Sequence, residues 1–237
     1  MTTLLDIVDP NDGVLSLREA IVSAEPDEEI SFGVNGTIEL SSNLGQLSIT
    51  TAMKILGNQQ IAIDGGGANR VVNIDDGDPG VEISVELSGL TITGGFSNSD
   101  GGGIFNAEEL SISNSALILN TSTEDGGGLY STSGSLDIID SLISGNVGER
   151  GGGIFASAGT ISSSTLDNNY AQLSGGGLHI RSSAAVSEST ISNNRSGMAG
   201  GGIASPTAPV SITQTDIMGN SAFDGGGIYT LSGNLVM

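Results

Sequence analysis

Three aspartates stand close together in the segment Asp75-Asp76-Gly77-Asp78-Pro79-Gly80. Carboxylate oxygens are the ligands that Ca²⁺ prefers, and three of them around a glycine could hold the ion. The same residues are also those of an ordinary exposed turn, in which Asp, Gly and Pro dominate. The sequence therefore leaves Ca²⁺ open as a cofactor, and we predict no metal-binding residue.

A second charged set occupies the position directly before each of six Gly-Gly-Gly triplets. This position reads Asp100, Asp125, Arg150, Ser174, Ala199 and Asp224. If successive repeats stack, Asp100 and Asp125 lie about 5 Å apart, and Arg150 follows one repeat further along. Two carboxylates beside a guanidinium could be part of an active site. The plainer interpretation is a surface ion-pair ladder, which contributes little stability.

Candidates for a general base are scarce. His179 is the only histidine and has no acidic neighbour in sequence, so we predict a surface residue rather than a base. Lys54 is the only lysine, and it is expected to extend from a strand edge into solvent. The sequence contains neither the Gly-x-Ser-x-Gly elbow of serine hydrolases nor a phosphate-binding loop. We therefore predict no catalytic residue.

The triplets set the spacing of all these residues. Their first glycines are Gly101, Gly126, Gly151, Gly175, Gly200 and Gly225, so the period is 24 or 25 residues. An aliphatic residue follows each triplet. A second marker repeats with the same period: an asparagine three positions after an aliphatic residue. These asparagines are Asn120, Asn146, Asn169, Asn194 and Asn220. A fixed period of this length indicates stacked repeats, each of which buries its apolar face against its neighbours.

Short runs of alternating apolar residues, separated by Gly, Ser, Asn and Asp, predict three short strands in each repeat. The high Gly and Ser content argues against helical repeats. We therefore predict an all-β fold: a right-handed parallel β-helix, about 25 residues per coil, forming one domain over residues 1–237. Coils pair about 4.8 Å apart, so about nine coils would form a rod about 45 Å long.

Each position of the repeat should form a column along this rod. The residue after each triplet is predicted to be buried. The next one should face outward, as a sugar-binding stripe or as structural stacking: Phe105, Tyr130, Phe155, His179, Ala204 and Tyr229. The triplets indicate a turn that needs positive φ or close packing of the coils. The asparagines are expected to form a ladder, each bonding its own turn and the neighbouring asparagines.

The ends of the chain differ from its middle. Ser16-Leu17-Arg18-Glu19 is a capping box, which predicts a short helix near residues 16–25 within an N-terminal cap of residues 1–29. Irregular coils are expected over 30–100 and regular triplet coils over 101–237. The sequence stops at Met237 in mid-coil, from which we expect a longer natural protein or an end covered by another chain.

Composition restricts the partners. The net charge of −21, from 27 acidic and 6 basic residues, excludes nucleic acid as a default partner and disfavours an anionic membrane. There is no Cys, and no stretch has the length of apolar residues that a membrane span needs. Residues 1–10 do not have the pattern of a signal peptide. The acidic surface is typical of a soluble repetitive rod, with cation binding as the alternative.

Two groups of residues carry a family resemblance. The segment Asp12-Gly13-Val14-Leu15-Ser16-Leu17-Arg18-Glu19-Ala20-Ile21, with Leu15 at the Cys of the motif name, resembles the CSLREA domain of bacterial surface proteins. The triplet repeats are similar to those of chlamydial polymorphic outer-membrane proteins, with Gly in place of an Ala. Both resemblances imply a right-handed parallel β-helix, related in shape to pectate lyases, that is exported and displayed at the cell surface or secreted.

The regularity of the columns favours a non-catalytic scaffold or adhesin. Such a rod would present a rigid acidic face to a glycan, to another surface protein or to a neighbouring copy, including end-to-end assembly. The alternative is a polysaccharide lyase or glycoside hydrolase of the pectate-lyase-like type, which would need acids and bases gathered on one face.

Overall fold

The computed structural model describes residues 1–132, 135–232 and 235–236; Met237 lies outside the described residues. The described chain is a parallel β-solenoid of about eight turns with one short helix near its N-terminus. The predicted all-β parallel β-helix is thus confirmed. None of the described chain forms a helix of the length and apolarity that crossing a membrane requires.

Three strand columns form one 21-stranded sheet. The first column follows the triplets and contains Leu47–Ile49, Val72–Ile74, Ile104–Asn106, Leu129–Ser131, Ile154–Ser162, Leu178–Ser187, Ile203–Ala204 and Ile228–Tyr229. The last residues of Ile154–Ser162 and Leu178–Ser187 continue into the second column, which also contains Glu28–Ser31, Met53–Asp64, Ser84–Thr93, Glu109–Ser113, Leu136–Ile139, Val210–Thr213 and Leu235–Val236. Met53–Asp64 and Ser84–Thr93 continue into the third column, together with Gly36–Glu39, Ala116–Ile118, Leu142–Ser144, Thr165–Asp167, Thr190–Ser192 and Asp216–Met218.

A fourth strand segment precedes each of the first five triplets and was not predicted. These segments form a separate five-stranded sheet: Phe96–Ser97, Thr121–Ser122, Val147–Arg150, Tyr170–Ser174 and Arg195–Ser196. Their inward positions carry small residues such as Ser122, Gly148 and Ala171. Because no large apolar side chain alternates along them, the hydrophobic pattern does not reveal these strands.

The core is a narrow stack of aliphatic side chains. As predicted, Ile104, Leu129, Ile154, Leu178 and Ile203 are fully buried after their triplets, and Ile228 in the last coil is half-buried. The first glycine of each triplet has a positive φ, which is 66° at Gly126. A Cβ at the second glycine, Gly127, would lie 2.2 Å from the carbonyl oxygen of Val147. Both reasons proposed for the triplets therefore hold.

The helix Leu17–Ser23 covers the first coils, as the capping box predicts. The hydroxyl of Ser16 accepts from the N–H of Glu19, and the Glu19 carboxylate accepts from the N–H of Ser16. The backbone N–H groups of Ser16 and, next, of Asp9 donate to the Glu19 carboxylate and lower its pKa. The Arg18 guanidinium forms a two-pronged ion pair with the buried Asp6 carboxylate and donates to the carbonyl oxygens of Leu44, Gly45 and Gln46. Arg18 thereby fastens the cap to the first coil.

The asparagines form a continuous buried ladder at the corner after the third column. Asn169 Nδ2 donates to Asn194 Oδ1 at 2.9 Å and to the carbonyl oxygen of Ile143 at 2.9 Å. Asn169 Oδ1 accepts from the backbone N–H and the Nδ2 of Asn146, both at 3.0 Å. These bonds all join neighbouring coils, so the predicted bond of each amide to its own turn was wrong. Hydrogen bonds in a parallel solenoid run along the rod axis, and the buried amide follows that direction.

A second ladder stands at the corner between the second and third columns. The backbone N–H of Ser115 donates to Ser141 Oγ, that of Ser141 to Ser164 Oγ, and that of Ser164 to Ser189 Oγ, at 3.0–3.2 Å. A residue of positive φ precedes each ladder position, such as Asn114 before Ser115 and Asn168 before Asn169. Small polar residues at these corners therefore align successive coils.

We expect Asn169→Ala to lower the free energy of unfolding by roughly 3 kcal/mol or more, since buried donors and acceptors on two coils lose their partner. Asn168→Gly is the matched control, because Asn168 is exposed and glycine tolerates its φ of 55°. Its effect should stay within about 1 kcal/mol. Denaturant titration followed by circular dichroism measures both values. Equal losses in the two variants would contradict a structural role for the ladder.

Candidate functional site

The charged and aromatic side chains gather where each triplet reverses the chain. At Gly126 the backbone passes so close to the following strand that a Cβ would lie 2.8 Å from the Cα of Tyr130. The residue before each triplet consequently stands beside the residue that follows the buried aliphatic. Arg150 lies over the Phe155 ring at 5.5 Å, and Ser174 Oγ lies 3.0 Å from His179 Nδ1.

The aromatic ladder, defined as Phe105, Tyr130, Phe155 and His179, is stacked along the rod. Ring centroids are 5.5, 5.1 and 5.0 Å apart, with interplanar angles of 27°, 20° and 2°. The Arg70 guanidinium covers the outer face of Phe105 at 5.1 Å. The expectation that this column faces outward was wrong for Phe155, His179 and Ala204, which are 1%, 6% and 0% exposed. The adjacent rings and Arg150 cover Phe155 and His179.

Stacking leaves the ring edges, not the faces, toward the surface. A sugar packs on an aromatic side chain through a free ring face, and here each ring face within the ladder is covered by the next ring. The geometry therefore favours structural stacking over a sugar-binding stripe.

The charged column before the triplets is joined by hydrogen bonds across three coils. Asp100 Oδ1 accepts from the backbone N–H of Asp125 at 3.0 Å. Asp125 in turn forms a two-pronged ion pair with Arg150, with Oδ2–Nη2 at 2.8 Å and Oδ1–Nε at 3.0 Å. Burial raises the pKa of Asp125, and the bonds to Arg150 oppose that rise. Burial and then the Asp100 charge raise the pKa of Tyr130. The surface ion-pair ladder of the plainer interpretation is thus found only in part: the column contains the one ion pair Asp125–Arg150 among the described residues, and Asp125 is buried.

His179 is not the surface residue that the sequence predicted. Its imidazole is buried between Phe155 and Ser174, and burial, followed by the positive charges of Arg150 and Arg181, lowers its pKa to about 4. The position alternates away from the aliphatic core, but the neighbouring coils close over it. A neutral imidazole without a carboxylate partner among the described residues is poorly placed to cycle protons as a general base.

The acidic loop brings together a different set of carboxylates from the predicted one. Oxygens of Asp75, Asp76 and Glu108 lie within 4.8 Å of one another, whereas Asp78 is outside this group and its carboxylate accepts from the N–H of Gly80. Glu108 lies on the next coil, which the register Ile74↔Asn106 places alongside. Sequence reasoning missed it because no local spacing connects residues 32 positions apart.

Backbone donors occupy these carboxylates. Glu108 Oε1 and Oε2 each accept at 3.1 Å, from the N–H of Asp76 and of Ile83, so this buried side chain holds both ends of the loop. Asp75 Oδ1 accepts from the N–H of Gly77. Carboxylates are the ligand type for Ca²⁺, and these three are the described residues that could supply them. Their arrangement is equally accounted for by the bonds that shape the loop.

The acidic loop and Lys54 lie apart from His179. Asp75 follows the second strand of the first column and His179 lies on the sixth, four coil steps away, or about 19 Å at the usual strand spacing. Lys54 faces outward from the second column, as expected, and pairs with Glu86 at 2.9 Å. That bond and the Glu86 charge raise the pKa of Lys54.

The chain matches no protein-family model, and searches of curated proteins and of solved structures also find no match.

We predict that Glu108→Ala loosens the acidic loop. Two half-buried N–H groups lose their acceptor, at a cost of up to about 1–3 kcal/mol each. Amide hydrogen exchange at Asp76 and Ile83 should accelerate by at least tenfold. Glu109→Ala is the matched control, because the adjacent Glu109 is exposed. Unchanged exchange in the Glu108 variant would contradict the role assigned to it.

We also predict a pH-dependent contribution from His179. The unfolded imidazole gains a proton below its ordinary pKa of 6.5, whereas the folded one stays neutral down to about pH 4. Stability should therefore fall as the pH drops from about 7 to about 4, by up to roughly 3 kcal/mol from this group.

The test compares the wild type with His179→Phe, which carries the ring type of the preceding coil, by denaturant titration at pH 7, 5.5 and 4.5. The difference between the two proteins isolates the imidazole from the titrating carboxylates. Wild-type stability should fall more steeply. Parallel pH profiles would show that the imidazole does not stay neutral in the fold.

Proposed function

We propose that this chain is a non-catalytic, rigid scaffold of a cell-surface or secreted protein, which holds a flat face against a glycan. The observation that carries the proposal is that the buried polar side chains are structural. The Asn and Ser ladders form hydrogen bonds from coil to coil along the rod. The location outside the cell rests on the resemblance of residues 12–21 and of the triplet repeats to bacterial surface proteins.

The alternative, a polysaccharide lyase or hydrolase, needs an acid and a base within reach of one sugar bond. The side chains that could act as an acid or a base instead make structural contacts. Asp125 is paired with Arg150, His179 is stacked on Phe155, and Glu108 holds backbone donors. These contacts favour binding over bond cleavage.

The hydroxyl face is the surface best suited to a glycan. We define it by eight outward hydroxyls of the second strand column: Ser88, Ser111, Ser113, Thr160, Ser162, Ser187, Ser211 and Thr213. These side chains are exposed or half-buried and lie in two rows along the rod, one strand spacing of about 4.8 Å or two apart. Ile139 interrupts one row, and Asp137 and Ala185 interrupt the other. Hydroxyls both donate and accept, so such rows complement the hydroxyls of a sugar chain. Glu109 and Asp137 make the same face acidic, whereas Glu86 is paired there with Lys54.

The experiment incubates the purified chain with acidic and neutral polysaccharides, with and without Ca²⁺. Unsaturated products are followed by ultraviolet absorbance, new reducing ends are assayed, and retention on the immobilised polysaccharides is measured. We expect retention on at least one polysaccharide and no turnover.

The matched variants are Ser113→Glu with Ser162→Glu, on the hydroxyl face, and Ser144→Glu with Thr165→Glu, on the third column. The first pair should reduce retention at least tenfold through charge and bulk, and the second should leave it within about twofold. Turnover that disappears in Asp75→Asn with Glu108→Gln would make the chain an enzyme and contradict the proposal. Retention on none of the polysaccharides would contradict glycan binding.

A further inference from the structure

Arg181 is the one basic side chain in the described residues that forms no ion pair, side-chain hydrogen bond or ring contact. The others have partners: Arg18 with Asp6, Lys54 with Glu86, Arg150 with Asp125, Arg70 with Phe105 and several oxygens, and Arg195 with the Tyr170 ring. In a chain with 27 acidic residues, an exposed guanidinium without an internal partner is available to an external anion.

A local irregularity of the sheet presents this side chain. Ala156 pairs with Ile180 and Ala158 pairs with Ser183, so Arg181 and Ser182 together stand opposite Ser157. Two residues against one form a β-bulge, which redirects the side chains at that point. The strand Leu178–Ser187 continues from the bulge onto the hydroxyl face, where Ser187 lies.

On the two adjacent coils the positions equivalent to Arg181 carry Ser157 and Pro206, neither of which is a carboxylate. Asp75 holds the equivalent position four coil steps away, or about 19 Å. Ser182 and Ser183 are exposed beside it. Arg150, the other guanidinium whose charge acts on His179, is paired with Asp125. Arg181 is therefore the local positive charge, with two hydroxyl donors next to it.

We infer that Arg181, together with Ser182 and Ser183, binds the carboxylate of an acidic sugar at the edge of the hydroxyl face. A guanidinium donates two parallel hydrogen bonds to a carboxylate, and these charge-assisted bonds are about twice as strong as neutral ones. The inference rests on the proposed function and specifies the class of glycan. A sugar with an isolated carboxylate fits best, because the net charge of −21 repels a polyanion from the rest of the rod.

The test uses the full chain, isotope-labelled, titrated with glucuronate, glucose and acetate while the Arg181 Nε–H and the Ser182 and Ser183 amides are followed by NMR. Glucuronate should bind about tenfold more tightly than glucose. It should also bind more tightly than acetate, because the sugar hydroxyls add contacts. Arg181→Gln should abolish the preference for glucuronate over glucose. Arg195→Gln, the control, should preserve it, since Arg195 lies on another strand over Tyr170.

Equal affinities for glucuronate and glucose, or a preference that persists in Arg181→Gln, would overturn the inference. Equal affinities for acetate and glucuronate would also overturn it, since the site would then recognise a bare anion. Retention on polysaccharides separates the two proposals. If retention remains while the glucuronate preference is absent, only the Arg181 site is wrong; if no polysaccharide is retained, glycan binding itself fails.

Discussion

The buried amides of the corner asparagines Asn120, Asn146, Asn169 and Asn194 bond to the coil before and to the coil after, and the register of the rest of the structure depends on this coupling. The Asn120 to Asn220 ladder holds successive corners in line, with Nδ2–Oδ1 distances of 2.9–3.1 Å. Because each coil is held against its neighbours in this way, the aliphatic core, the serine ladder and the aromatic ladder also form columns. A repeat protein gains its stability from such nearest-neighbour interfaces.

The sequence was sufficient for the architecture because its signals are periodic. The triplets predicted the coil length, the residues that follow them predicted the buried column, and Ser16 with Glu19 predicted the capping helix. The fourth strand segment and the strand Val72–Ile74 were not predicted, since neither belongs to a repeated hydrophobic pattern. The serine ladder was missed for a related reason: serine is common throughout these repeats, so its recurrence at one corner does not stand out.

The site was harder to predict, since its geometry depends on contacts between coils. Glu108 joins Asp75 and Asp76 only through the pairing of adjacent strands. His179 was expected at the surface because it alternates outward, yet Phe155, Ser174 and the neighbouring coils bury it. Side-chain alternation predicts which residues leave the core, but it does not predict what lies over them. Arg181, in contrast, is exposed. It lies on a β-bulge, where the regular pairing of the sheet is interrupted.

The central claim is that the polar side chains of the repeat couple the coils and are structural. Amide hydrogen exchange across the ladder tests it most directly, with the Asn146→Ala variant beside the wild type. The account predicts that exchange accelerates at the backbone amide of Asn120, whose acceptor is Asn146 Oδ1, and also in the coil that carries Asn169. Acceleration confined to the coil of Asn146 itself would contradict it, because the asparagines would then act as separate turns and not as a ladder.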